Sequence, residues 1–290
     1  MRDYVIMTDS SCDLPWNLAK ALDIEVLPLV VSMGRREYRD ELEKRESVMK
    51  AFYADLRAGN RAFTSAVSQY DFRMAMERHM LEGRDVLMIC FDSVLSGTYL
   101  NARIIASTLE AKYPERRIFC VDSRSASLGQ GLLVYLAANA RNAGGTLEEV
   151  RTLVEKSIPK VCHWFTVGNL SYLKHGGRLQ ATAAPAGKIL HMMPVLHVDD
   201  EGRLASVGRA RGRQAAMNVL LEKARTTSTN MEEQTVFISH GDCLDDALEL
   251  RKCVMAHLHP REVVVGDVGP VIGAHSGPDT LAMFFLGDKR

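Results

Sequence analysis

Three aspartate-serine pairs could supply polar groups to one binding site. Asp9-Ser10, Asp92-Ser93 and Asp122-Ser123 each follow a short apolar segment that is predicted to form a strand. Ligands of open parallel sheets bind beyond the carboxyl ends of the strands, so these side chains are expected to converge there. Each pair alone is also typical of an ordinary loop or helix cap. Three pairs at equivalent positions favour a polar site at this edge of the sheet.

A helix start after the second pair is suited to an anion. Ser96 and Gly97 open a helix predicted from Gly97 to Tyr113, and Gly97 lets a ligand approach the backbone closely. The free N–H groups and the positive end of the helix dipole favour negative charge there. Thr64, Ser65 and Ser68 add three hydroxyls before another predicted helix, where they could also serve only as caps.

Two clusters of basic groups lie in the second half of the chain. Arg178 closes a segment with two glycines, and Arg209, Arg211 and Arg213 alternate after a predicted strand. Alternation in an extended segment would place these three arginines on one face, able to bind a carboxylate or phosphate or to meet an acidic partner, with a solvated surface as the alternative.

His275 lies in a segment rich in glycine and proline, which favours a tight loop that delivers its imidazole to a site.

The elements that must position these groups change in character near residue 158. Before it, apolar strand candidates alternate with long helical segments, which predicts right-handed crossovers and a parallel sheet. After it, short strands, a hairpin around Asp199-Asp200-Glu201-Gly202 and two helices predict a mixed α+β arrangement. The fold class is therefore α/β with two domains, a parallel, Rossmann-like domain at 1–158 and a mixed domain with antiparallel strands at 159–290. A ligand is expected between them.

Composition excludes several classes of protein. The chain has 290 residues with 25% charged side chains and no net charge, which argues against disorder and against binding nucleic acid over the whole surface. The uncharged stretch from Ser125 to Ala140 falls short of the ~20 apolar residues that span a bilayer, and no secretion signal opens the sequence, so we expect a cytoplasmic protein without integral membrane association. Six scattered cysteines form no metal-binding pattern. The P-loop, the complete G-x-G-x-x-G fingerprint and the G-x-S-x-G elbow are also missing.

Six short segments, in order along the chain, carry a resemblance to a known family. They are Thr8-Asp9-Ser10-Ser11-Cys12-Asp13-Leu14, Thr64-Ser65, Ser93-Val94-Leu95-Ser96-Gly97-Thr98-Tyr99, Val121-Asp122-Ser123, Leu173-Lys174-His175-Gly176-Gly177-Arg178-Leu179 and Gly269-Pro270-Val271-Ile272-Gly273-Ala274-His275. On these motifs the sequence resembles the DegV family of bacterial lipid-binding proteins. The resemblance implies two α/β domains with one long-chain fatty acid buried between them and no cofactor or metal. It also implies a binding subunit that presents the acyl carboxylate to a separate ATP-dependent fatty-acid kinase.

The resemblance also implies roles for individual residues. Thr64 and Ser93 would hydrogen-bond the carboxylate, with Ser96 and the helix terminus at Gly97 behind them. Arg178, Arg211 and His275 would surround the mouth of the site as contacts of the head group or of the partner. Opposite charge and preorganised donors would hold an acid there.

Several positions depart from the family pattern. The family often has proline at the position of Val67, serine at Asp92, two acids at Gly168-Asn169, and glycine at Asp279 and Ala282. Asp92 beside a carboxylate-binding serine would repel the ligand unless it points away or is paired.

Two other functions remain open on the sequence. Ser93 or Ser96, together with His275 and an aspartate, could form the nucleophilic site of an acyl hydrolase or transferase. The protein could also be an adaptor that reports lipid state to a protein partner. Bound lipid after purification, reaction with an ester probe and the identity of co-purified proteins distinguish these hypotheses.

Overall fold

The computed structural model describes residues 3–179 and 192–290. The strands in these ranges are β1 (Tyr4–Asp9), β2 (Ile24–Leu27), β3 (Val30–Met33), β4 (Arg36–Arg39), β5 (Ala62–Ser65), β6 (Asp85–Cys90), β7 (Ile118–Asp122), β8 (Val161–Thr166), β9 (Met192–Val198), β10 (Leu204–Arg211), β11 (Thr235–His240), β12 (Glu262–Asp267) and β13 (Leu281–Leu286). The helices are α1 (Trp16–Ala21), α2 (Arg45–Arg57), α3 (Gln69–Leu81), α4 (Thr98–Lys112), α5 (Leu128–Asn142), α6 (Leu147–Ser157), α7 (Ser171–His175), α8 (Arg213–Thr227), α9 (Leu244–Leu258) and α10 (Pro270–Ser276).

A parallel sheet organises the first half of the chain. Its strand order is β2-β1-β6-β7, and every neighbouring pair is parallel, as predicted. Every residue of β1 and β6 is buried, because α3 and α4 cover one face of the sheet and α5 and α6 the other. Continuous apolar runs are what strands buried on both faces require.

A second, three-stranded sheet in the first half was not predicted. The apolar pattern of Glu25–Val31 predicts one strand, but the stretch is divided at Pro28 into β2 and β3, which belong to different sheets. Proline has no N–H to donate to a ladder, so the strand ends there. β3 pairs antiparallel with β4 and β5, which places Val31 opposite Thr64. The exposed, charged sequence of β4 gave no apolar signal of a strand.

The second half forms a mixed sheet with the order β10-β9-β8-β13-β11-β12. Only β11 and β12 are parallel neighbours, and the predicted hairpin is confirmed as the antiparallel pair β9 and β10. Helices α8 and α9 pack on this sheet, and α5 contacts β8, β11 and β13. The mixed α/β fold class is therefore confirmed.

Helix α5 joins the two halves. It packs against β1 and β6 of the parallel sheet and also against the mixed sheet, and one apolar core contains residues from all three. A helix enclosed on most sides is expected to be apolar around its circumference. This position explains the uncharged stretch from Ser125 to Ala140 as a buried helix and its approach loop.

The strands of the parallel sheet all precede residue 158, and those of the mixed sheet all follow residue 160. The exact domain limits of 1–158 and 159–290 stay a prediction. Within the described ranges, none of the helices has the length and apolar character needed to cross a membrane. The same residues contain no group of three or more His, Cys, Asp or Glu side chains placed to hold a metal ion.

Candidate functional site

A cavity of about 290 Å³ lies between the parallel sheet and the mixed sheet. Its wall combines loops beyond the parallel strands, one face of the mixed sheet and α10. Much of the lining is aliphatic or aromatic, and includes Leu29, Phe91, Leu95, Phe165, Val271 and Phe284. Such a wall, with a few polar groups, is typical of a site for an apolar small molecule.

Three polar side chains mark the point where the cavity meets the outside. Thr64, Arg178 and His275 line both the cavity and a neighbouring outer cleft of about 430 Å³. Strand β5 supplies Thr64, Arg178 follows α7, and α10 supplies His275. Thr64 Oγ1 lies 2.7 Å from His275 Nε2, a hydrogen bond between the two halves of the chain. We call these three residues the polar mouth.

Helix α10 brings His275 to this position. The segment predicted to be a tight loop is instead a short helix with Pro270 in its first turn, and it ends at Gly277, whose φ is +79°. Proline is preorganised for a helix start, and glycine accepts positive φ without strain. The imidazole packs against Gly176, where even a β-carbon would lie 2.3 Å from His275 Nδ1. Glycine at this point therefore permits the close approach of His275.

The pKa of His275 is lowered to about 4, mainly by burial and secondarily by the charge of Arg178. The imidazole is consequently neutral near pH 7. A neutral imidazole has one donor and one acceptor, so the Thr64 bond leaves one hydrogen-bonding function to the other ring nitrogen.

Arg178 is half-buried and has no carboxylate partner in the described part of the chain. Its Nε and Nη2 lie 3.3 and 3.1 Å from the carbonyl oxygen of Leu95, and its Nη1 donates to the carbonyl of Gly176. Burial alone lowers the pKa of its guanidinium. A fixed cation that is partly removed from water and lacks a counterion favours an anionic guest.

Ser96 and Gly97 lie at the cavity, as the predicted helix start requires. Helix α4 begins at Thr98 with Gly97 as its N-cap. Ser96 Oγ accepts a hydrogen bond of 3.2 Å from Thr98 N and lies 2.9 Å from Thr98 Oγ1. Apart from its chain neighbours, no described residue has an atom within 4 Å of a β-carbon placed at Gly97, so the backbone there is open to approach.

Ser93 and Arg211 are not at the cavity. Ser93 is exposed, and its Oγ donates to Asp122 Oδ2 at 2.5 Å. Arg211 is exposed at the end of β10 and belongs to the lining of neither the cavity nor the outer cleft. The expectation that these two residues contact the head group therefore disagrees with their positions. Ser96, three residues after Ser93, and Arg178 line the cavity instead.

The three aspartate-serine pairs organise the loops instead of lining the cavity. Asp9 accepts a hydrogen bond of 2.7 Å from Phe91 N, and Ser10 Oγ accepts one of 3.0 Å from Leu29 N. Phe91 and Leu29 line the cavity, so this pair acts by holding its walls. Two of the pairs do meet, since Ser93 hydrogen-bonds Asp122, but none of the six residues lines the cavity, so the pairs do not supply its polar groups.

Asp92 is buried and turned toward the β9-β10 hairpin. A β-carbon at Gly202 of that hairpin would lie 2.3 Å from Asp92 Oδ2. Burial is the main cause that raises the pKa of Asp92 to about 7. Asp92 does not line the cavity, so its carboxylate points away from the polar mouth, one of the two arrangements that avoid repulsion of an acidic guest.

The prediction that Arg209, Arg211 and Arg213 share one face of an extended segment was wrong for Arg213. Arg209 and Arg211 belong to β10, but Arg213 begins α8. Its Nε lies 2.8 Å from Asp246 Oδ2, and its Nη1 donates to the carbonyl of Asp279 at 2.8 Å. Arg213 therefore fastens α8 to α9 and does not share a binding face with the other two.

Sequence reasoning missed five polar residues of the cavity wall, namely Ser127, His163, Ser239, Ser276 and Thr280. His163 lies in β8, in which every residue is buried. Ser127 precedes α5 with a φ of +53°, an uncommon conformation for serine. The one sequence feature that could have indicated these residues was a histidine next to the apolar residues of a predicted strand.

Comparison with known proteins finds relatives along nearly the whole chain. The family described as uncharacterised protein, DegV family, matches residues 3–288. A DegV domain-containing protein of Clostridium perfringens is 41% identical over 290 residues, which cover 100% of this chain and 99% of the relative.

Two solved structures extend this similarity to the fold. A DegV family protein from Thermus thermophilus, described as fatty acid binding, has a TM-score of 0.88 and 31% identity, with 99% of this chain and 100% of that chain covered. A Thermotoga maritima protein described as revealing a fatty acid binding function has a TM-score of 0.85 and 27% identity, with 99% and 100% covered. The chain belongs to the DegV family, as its motifs predicted.

Proposed function

We propose that this DegV family member binds one long-chain fatty acid in the cavity and presents its carboxylate to a partner kinase. The observation that carries the proposal is the cation Arg178, which has no carboxylate partner among the described residues, beside the Thr64–His275 hydrogen bond at the mouth of an apolar cavity. The relatives from Thermus thermophilus and Thermotoga maritima, described as fatty acid binding, support the same ligand.

The acyl chain would supply most of the affinity. At ~0.8 kcal/mol per buried CH₂, a C16 tail contributes roughly 10 kcal/mol before the costs of ordering and association. The head group would supply orientation. Arg178 and Thr64 would donate to the carboxylate, and the start of α4 would add a favourable dipole from the side of Ser96 and Gly97.

The outer cleft supports the presentation step. It shares the polar mouth with the cavity and adds Asn60, Arg61 and His175, so a carboxylate at the mouth would be reachable from outside. A phosphoryl donor held by a partner could approach through this cleft while the acyl chain stays buried. The chain itself would act as a non-enzymatic carrier, and the reaction of ATP would belong to the partner.

The hydrolase alternative has less support. Ser96 Oγ bonds to Thr98, Ser93 Oγ bonds to Asp122, and His275 Nε2 bonds to Thr64. Neither serine is therefore paired with His275, and in the described ranges no carboxylate orients the imidazole. A nucleophilic serine requires a base within hydrogen-bond reach.

Native mass spectrometry tests the proposal. The protein is examined as purified, after organic extraction, and after addition of hexadecanoic acid. We expect one fatty acid per chain, lost on extraction and regained on addition. Failure of the folded, extracted protein to take up any fatty acid would contradict binding.

A second experiment tests presentation of the carboxylate. Labelled ATP and the candidate kinase should yield acyl phosphate only when the loaded protein is present. Release of free acid from an ester by the protein alone would favour the hydrolase.

A further inference from the structure

Two buried polar atoms of the cavity wall, His163 Nε2 and Ser276 Oγ, have no partner in the part of the chain that the structure describes, and His163 Nε2 is the one that can only accept a hydrogen bond. His163 on β8 is 2% exposed and lines the cavity. Its Nδ1 lies 3.1 Å from the carbonyl oxygen of Val161, so the ring proton belongs on Nδ1. Nε2 is then a hydrogen-bond acceptor, and it has no donor among the residues that the structure describes. Buried polar atoms normally have a partner.

Neither protonation of the ring nor a side chain from the facing helix provides a partner for His163 Nε2. Burial lowers the pKa of His163 well below its ordinary value, with a further contribution from the charge of Arg290, so the ring does not become a double donor. The edge that carries Nε2 faces Gly129 of α5, where a β-carbon would lie 2.1 Å away. No side chain can therefore reach from that helix position, and the missing donor must come from another direction.

Two further hydroxyls, those of Ser127 and Ser239, also line the cavity. Ser127 Oγ donates to Asp13 Oδ2 at 2.7 Å and lies 3.0 Å from Ser239 Oγ. Because the Ser127 proton is used toward Asp13, Ser239 donates to Ser127, and the oxygen of Ser239 keeps free acceptor capacity. His163, Ser127 and Ser239 line the cavity but not the outer cleft, which separates them from the polar mouth.

We propose that the cavity accepts a long-chain fatty acid with a hydroxyl group along its chain, which donates to His163 Nε2. This inference rests on the proposed function, because the carboxylate end is taken to occupy the polar mouth. A donor on the chain is the chemistry that an orphan acceptor recognises. A plain acyl chain fits the same cavity but leaves that acceptor unpaired.

Calorimetric titration of the extracted full chain tests the inference. The probes are octadecanoic acid and its isomers with a hydroxyl at carbon 9, 10 or 12. We expect at least one isomer to bind as tightly as octadecanoic acid or more tightly. In His163→Phe, that isomer should bind about 10-fold more weakly, while octadecanoic acid changes by less than about 3-fold. The matched control is His197→Phe, since His197 lies outside the cavity lining and stacks on Trp164.

A measurement on the unaltered protein covers the case in which His163→Phe does not fold. With ¹⁵N-labelled histidine, the Nε2 resonance of His163 should shift when the hydroxy acid binds and remain unchanged with octadecanoic acid. The inference is overturned if every hydroxy isomer binds at least 10-fold more weakly than octadecanoic acid, if His163→Phe weakens both classes equally, or if Nε2 does not respond. If neither class binds the wild-type chain, the proposed function itself fails.

Discussion

Thr64 and His275 are separated by 211 positions in the chain, yet Thr64 Oγ1 lies 2.7 Å from His275 Nε2. The contact forms because β5 is the edge of the three-stranded sheet and α10 packs against that sheet. It joins the two halves of the chain at the mouth of the cavity. A ligand held there touches both halves at once.

Removal of the Thr64 hydroxyl should weaken fatty-acid binding without unfolding the protein. Thr64→Val keeps the branched shape but removes one donor to the carboxylate and the partner of His275. We expect about a 5- to 10-fold loss of affinity for hexadecanoic acid by calorimetry. Thr226→Val is the control, since that exposed hydroxyl bonds only to its own helix. Equal affinities for the Thr64 variant and the control would contradict the assigned role.

Replacement of Arg178 should distinguish acids from neutral lipids. Because charge-assisted hydrogen bonds are about twice as strong as neutral ones, Arg178→Met should weaken hexadecanoic acid about 10- to 100-fold. Hexadecanol, which has no charge, should lose less than about 3-fold. Arg211→Met is the matched control, and its affinity for the acid should stay within about 2-fold of wild type. If Arg178→Met weakens acid and alcohol equally, Arg178 has only a structural role.

The lowered pKa of His275 predicts a loss of stability in acid. The imidazole titrates near pH 6.5 when unfolded and near 4 when folded, so the unfolded chain binds more protons between these values. His275 therefore contributes its full stability above about pH 6.5 and loses it as the pH falls toward 4, by up to about 3 kcal/mol.

The measurement is the free energy of unfolding of the empty protein minus that of His275→Gln, from pH 7.5 to pH 4. The difference should fall across this window. Asp13 and Asp92, with pKa values raised to about 7, act in the opposite direction, but they are common to both proteins and cancel. A difference that does not change with pH would show that burial does not depress the pKa of His275.

Gly168 and Asp279, two departures from the family pattern, contact each other. A β-carbon at Gly168 would lie 3.0 Å from Asp279 Cβ and 3.0 Å from the carbonyl oxygen of Pro278. Gly168→Ala should therefore destabilise the protein by about 1–2 kcal/mol. In an Asp279→Gly background the side-chain part of this clash disappears, so the cost should be smaller. Denaturant unfolding of the four proteins measures the coupling, and additive effects would contradict it.

Much of the fold could be predicted because apolar periodicity reports burial directly. The alternation of apolar strands and helices predicted the parallel sheet, and the helix predicted from Gly97 to Tyr113 is within one residue of α4 at each end. β4 was missed because its exposed, charged residues contribute little apolar surface. A local pattern also cannot show that Pro28 sends consecutive strands into different sheets.

The site was less predictable because a loop, not a regular element, decides which hydroxyl faces inward. Ser93 and Ser96 belong to one motif, yet Ser93 turns out toward Asp122 and Ser96 lines the cavity. Spacing fixes the direction of a side chain on a strand or helix but not on an irregular loop. The meeting of Thr64, Arg178 and His275 depends on long-range packing, and only the motif resemblance indicated it in advance.

The most direct test of the binding proposal is a crystal structure of the protein after extraction and reloading with hexadecanoic acid. We expect the acyl chain to fill the cavity between Phe91 and Phe165, with a carboxylate oxygen within 3.2 Å of Thr64 Oγ1 and the other near Arg178. A cavity that stays empty at saturating ligand, or a head group bound away from the polar mouth, would contradict it.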